Sequence, residues 1–130
     1  MKNQPHLGAR PGEVPGHGAA GLQALPVGGK RDSYVYAPPG YDPANPMPLV
    51  LLLHGAGGHA HDGLRILLHL ADSEGLILVA PASSGSTWDI ISGRSYVADV
   101  EQVDATLAHV FARYAIDPAR LAVCGFSDGA

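Results

Sequence analysis

The chain has 130 residues, among them 17 glycines, 11 prolines and one cysteine, and its eight basic and twelve acidic residues leave a net charge of −4. Gly and Pro reach nearly twice their usual combined share of about 12%, yet 46% of the residues are hydrophobic and only 15% charged, which excludes a charged disordered tail and, with no glycine period of three, collagen. A single cysteine excludes an internal disulfide framework, the absence of a Lys/Arg cluster argues against a nucleic-acid groove, and the longest apolar run, residues 48–53, is far short of the ~20 residues of a membrane span.

Residues 1–29 read as a flexible or loosely packed lead, because glycine alternates with proline and little apolar surface is available to bury. The first 15 residues have no apolar core of the kind a secretory signal needs, so a cytoplasmic location is the expectation. Leu22, Leu25 and Val27 suit an edge strand at the end of this lead. Residues 30–130 form the second region. Tyr34, Val35 and Tyr36 mark a short strand closed by Pro38-Pro39-Gly40. Leu49, Val50, Leu51, Leu52 and Leu53 are apolar without alternation, the pattern of a central parallel strand covered on both faces. After a glycine-rich loop, Asp62 opens a predicted helix to about Glu74, with Leu64, Leu67, Leu68 and Ala71 at helical spacing and Gly75 as its stop.

Residues 76–80 are a second buried strand ended by Pro81. A Ser/Gly-rich loop carrying Trp88 and Asp89 follows. A long helix is predicted from about Ser95 to Ala115, one face lined by Val97, Val100, Val103, Leu107, Val110, Phe111 and Tyr114. Asp117-Pro118 starts a turn, and residues 121–125 are a last short buried strand. The order strand, helix, strand, helix, strand with apolar strands predicts an α/β fold: a mostly parallel sheet with helices on both faces.

The last strand runs into Gly125-Phe126-Ser127-Asp128-Gly129, a G-x-S-x-G pattern. A sharp strand-to-turn corner there exposes the Ser127 hydroxyl, with Gly125 and Gly129 giving room where a Cβ would meet backbone. The first apolar strand likewise runs into His54-Gly55-Ala56-Gly57-Gly58. Small residues in a tight loop let backbone N–H groups face an oxygen that gains negative charge in acyl transfer. Ala56 and Asp128 are the expected donors, and His54 is expected to brace the loop rather than act as a base. His54, His59, His61 and Asp62 also suggest a metal set, but they lack the spacing of a binuclear metallo-hydrolase loop, and neither a metal nor a cofactor is expected.

Residues 48–58 (PLVLLLHGAGG), 75–81 (GLILVAP) and 117–130 (DPARLAVCGFSDGA) together resemble the N-terminal part of the α/β-hydrolase superfamily. The likeness is greatest to its phospholipase/carboxylesterase branch and to the related polyhydroxybutyrate-depolymerase-like and dienelactone-hydrolase-like esterases. The resemblance implies a serine esterase acting on a small-molecule ester, with Ser127 as nucleophile and Ala56 as the loop donor of the oxyanion hole. It implies that the strand of residues 49–53 lies between those of 76–79 and 121–124, and that Trp88 lines the acyl or alcohol pocket. In this family the acid and the histidine follow the serine in the chain, and here three residues follow Ser127. A base supplied from His59 or His61 would be geometrically unusual. The hydrolase domain is therefore expected to be incomplete in this chain, with acid and base on a missing C-terminal portion or second polypeptide. The alternative is a catalytically incomplete fragment with only a binding or structural role.

Overall fold

The computed structural model describes residues 6–12, 18–27, 31–91, 93 and 97–130. Pro5, Pro15, Gly16 and His17 of the lead, and the predicted helix start at Ser95, lie outside the described residues.

The elements in chain order are β1 (Gly21–Leu25), β2 (Ser33–Ala37), β3 (Met47–Leu53), α1 (Ala60–Leu64), α2 (Leu68–Glu74), β4 (Ile77–Ala80), α3 (Val97–Phe111) and β5 (Ile116–Gly125), followed by a 3₁₀ turn over Ser127–Gly129. The five strands form one sheet in the order β1-β2-β4-β3-β5. As the resemblance implied, β3 lies between β4 and β5.

β3 and β4 are apolar throughout because both of their faces are covered. Leu49, Leu51, Ile77 and Val79 point to one side, against Val103, Leu107, Val110 and Phe111 of α3. Val50, Leu52, Leu78 and Ala80 point to the other, against Leu64 of α1 and Ala71 of α2. The helices do occupy both faces.

The expected mostly parallel sheet is corrected to a mixed one. β3 runs parallel to β4 and to β5, whereas β2 is antiparallel to both β1 and β4. Connection length explains the difference. Parallel neighbours need a crossover, supplied by α1–α2 and by α3, while β2 reaches β3 through a Pro-rich loop with no helix.

Three local differences from the sequence expectation follow. The single helix expected from Asp62 is two short ones, interrupted where Leu67 leaves helical geometry at φ −130°, ψ 2°. Asp62 sits inside α1, and its carboxylate reaches back to accept the His59 N–H at 2.8 Å. Gly75 ends α2 at φ 66°, with the Leu76 N–H returning to Ala71 O at 2.9 Å, the left-handed stop that its sequence position suggested. Val97 is exposed rather than on the core face of α3. Finally, β5 is longer than predicted, and past its first residue, Ile116, none of it is buried: Leu121, Ala122 and Val123 are exposed. Among the described residues only β3 pairs with it.

Candidate active site

Parallel pairing sends the chain out of β3, β4 and β5 at the same edge of the sheet, so the loops after these strands meet there. β5 ends at Gly125, and Phe126 N–H still donates to Leu53 O of β3 at 3.1 Å. Ser127 then takes φ 54°, the one left-handed non-glycine residue among those described, and its side chain is exposed. The turn closes with Gly129 N–H to Phe126 O and Ala130 N–H to Ser127 O, both 2.9 Å. The flanking glycines are required by close approach. A Cβ on Gly125 would lie 2.3 Å from Gly129 O, and one on Gly129 would lie 2.3 Å from Leu53 O and 2.6 Å from His54 O. A strained serine is thus clamped between two positions that admit no side chain.

The loop after β3 lies against this turn. A Cβ on Gly55 would meet Phe126 O at 3.3 Å and Ser127 Cβ at 3.4 Å. Gly57, at φ 69°, donates its N–H to Ser86 O at 2.6 Å, and Gly58 N–H donates to Gly55 O at 3.1 Å. Among the described residues, the N–H groups of Ala56 and Asp128 donate to nothing. Two free backbone donors therefore flank the serine corner, one from each loop.

His54 is buried beneath this loop. Its Nε2 accepts the Ser83 N–H at 3.0 Å, so in that state the proton sits on Nδ1, which donates to Gly55 O at 2.7 Å. The ring stacks on Trp88, with centroids 4.8 Å apart and an interplanar angle of 27°. The Trp88 indole N–H donates to the His54 carbonyl at 2.9 Å. Burial pushes the His54 pKa below its ordinary value. The bond to Gly55 O works against that shift and the nearby Arg31 charge adds to it.

The loop after β4 is fastened to both neighbours. Thr87 Oγ1 donates to the Asp128 carboxylate at 2.8 Å. Buried Asp99, in the first turn of α3, accepts from Ser84 N at 3.0 Å, from Ser84 Oγ at 2.9 Å and from Asp89 N. Beside the serine corner opens a largely apolar cavity of about 390 Å³, walled by Trp88, Ile90, Ile91, Val100 and Val103 and reaching Gly129.

The other histidines near this edge are engaged elsewhere: His59 faces the Arg31 guanidinium at 3.1 Å, and His61 packs on the Tyr34 ring at 4.4 Å. Among the described residues no hydrogen bond joins a histidine to Ser127, and no group of three or more His, Cys, Asp or Glu side chains is placed to hold a metal ion. None of the described helices is long and apolar enough to cross a membrane.

The fold is similar to that of an acetyl xylan esterase from Aspergillus awamori, with a TM-score of 0.64 and 21% sequence identity. The match covers 85% of this chain and 44% of that one, so the chain spans less than half the length of this neighbour. At that identity the likeness bears on the fold. No protein-family model and no curated protein matches the chain.

The sequence reading singled out His54, Gly55, Ala56, Gly57, Trp88, Gly125, Ser127, Asp128 and Gly129, and all nine meet at this one sheet edge. It missed Thr87 and Arg31, which join the loops to one another, and Asp99, which fastens the loop after β4 to α3. A lone polar residue opposite a distant loop leaves no periodic or motif signal. For Asp99 the one available cue is its position in the first turn of a helix, where a carboxylate is favoured.

Proposed function

We propose that this chain carries the nucleophile and oxyanion-binding part of a serine carboxylic-ester hydrolase of the α/β-hydrolase type. The observation that supports this most directly is the strained, exposed Ser127 set beside two backbone N–H groups, those of Ala56 and Asp128, that have no acceptor among the described residues. In this reading Ser127 Oγ attacks the ester carbonyl carbon and passes its proton to a general base. The two N–H groups hold the resulting oxyanion. Collapse breaks the bond to the alcohol oxygen, which leaves with the base's proton. Water then attacks the acyl-serine and releases the acid. The apolar cavity beside Trp88 receives one arm of the ester. His54 is not the base: its Nε2 is taken by Ser83 and its ring is stacked under Trp88.

The base and its orienting acid are assigned to a further polypeptide segment, a C-terminal continuation or a second chain, that adds to the open side of β5. Among the described residues nothing pairs with that side, and Val123 beside it is 66% exposed. The fold shared with an esterase of which the match covers 44% is in keeping with this assignment.

Hydrolysis of a short-chain aryl ester tests the reading. Ser127→Ala is expected to lower kcat by about 10³-fold or more. An unchanged rate removes Ser127 as the nucleophile. A complete absence of hydrolysis in the purified native material favours the non-catalytic alternative.

A further inference from the structure

Arg31 lies just before β2, and the antiparallel pairing of β2 with β4 brings it to the edge where the β3 and β4 loops emerge. There its guanidinium spans both loops. Nη1 donates to Gly58 O at 2.7 Å and faces His59 Nδ1 at 3.1 Å. Nη2 donates to Ser83 Oγ at 2.7 Å and to Gly85 O at 2.9 Å, and lies 3.5 Å from His54 Nε2. Nε donates to Ser83 O at 3.1 Å. Gly58 and His59 belong to the loop of Ala56, while Ser83 and Gly85 belong to the loop of Trp88. Three carbonyls and a hydroxyl arranged around one plane match the rigid fork of an arginine, and a lysine ammonium cannot reach them all at once.

We propose that Arg31 is a positioning residue for the oxyanion loop, tying it to the Trp88 loop and thereby fixing the direction of the Ala56 N–H. This role rests on the esterase reading for its purpose, but the clamp itself can be measured without any turnover. Charged hydrogen bonds of this kind contribute more than neutral ones. The Gly57 N–H bond to Ser86 O lies between the same two loops and depends on their being held together.

The test uses Arg31→Lys, which keeps the charge and loses the fork, and Arg31→Gln, which loses both. Ser83→Ala, which removes one acceptor of Arg31 and leaves the charge, stands in if either variant fails to fold. Amide exchange of Gly57 and Gly58 is expected to rise about tenfold or more in both Arg31 variants, with the amides of the β1–β2 pair unchanged. The His54 ring nitrogens, followed by NMR, are expected to titrate at higher pH in Arg31→Gln than in wild type and to stay near the wild-type value in Arg31→Lys. The charges acting on that ring are Arg31, Asp62 and His59, and only Arg31 changes. Exchange unchanged at Gly57 and Gly58, or raised equally across β1 and β2, overturns the clamp.

Fluorophosphonate labelling of Ser127 in the native preparation separates the two readings. No label on the wild type overturns the esterase reading. Label on the wild type that is unslowed in both variants overturns the positioning role of Arg31 alone.

Discussion

β3 and β5 are parallel neighbours, both largely apolar, and each runs into a glycine-bearing corner, yet Leu52 of β3 is 0% exposed and Val123 of β5 is 66% exposed. Composition made both of them strands. Burial came from what packs on them: α1, α2 and α3 cover β3 on its two faces, while the described residues place no strand on the far side of β5. The two corners differ in the same sense. The corner after β3 is pinned from below by His54 and held by Arg31. The corner after β5 stores strain at Ser127 and borrows its rigidity from β3, through the Phe126 bond to Leu53 O and the contact of Gly129 with that same carbonyl. An exposed serine can thus stand at the sheet edge while its backbone is anchored to a strand covered on both faces.

Truncation of one side chain on each strand is expected to show this contrast at its largest. Leu52→Ala is expected to cost about 3 kcal/mol of stability, and Val123→Ala less than about 0.5 kcal/mol, both read from urea unfolding. Equal costs would mean that β5 is covered in solution. Gly129→Ala comes next, at about 2 kcal/mol or more, because its Cβ would run into backbone rather than into a yielding side chain. The same substitution at Gly12, where a Cβ meets nothing within 4 Å, is the control. Ser127→Gly should change sign, stabilising the chain by about 0.5–1 kcal/mol as the left-handed strain is relieved, while removing the hydroxyl.

The last effect is graded rather than abrupt. Because the folded chain holds the His54 pKa below its ordinary 6.5, the unfolded chain binds that proton more readily. Stability is therefore expected to be complete above about pH 6.5 and to fall with pH down to the folded pKa, then to level off for this group. Unfolding midpoints measured at a series of pH values, alongside the His54 ring signals, check this. A midpoint that rises on acidification through this window contradicts a buried neutral His54.

The strands and the serine corner could be read from sequence because their signals are local. An unbroken apolar run marks a strand covered twice, and G-x-S-x-G directly after such a run marks the turn. Strand direction at β2 was not readable, since it depends on whether a helix intervenes before β3 and on which neighbour β2 chooses. The exposure of β5 is decided by its neighbours: residues 121–124 carry the pattern of a buried strand, and among the described residues only β3 pairs with them. Arg31 escaped notice because its acceptors are Gly58, 27 residues on, and Ser83, 52 residues on. Asp99 escaped because a carboxylate in a first helical turn reads equally well as a surface cap.

The proposed function requires Ser127 to be a nucleophile activated by a base that a further segment supplies. Fluorophosphonate treatment of the native preparation, followed by mass spectrometry of the intact chain and its peptides, addresses it most directly. A single adduct on the peptide containing Ser127, abolished in Ser127→Ala, is expected. An unmodified Ser127, or an adduct that persists in Ser127→Ala, would contradict it.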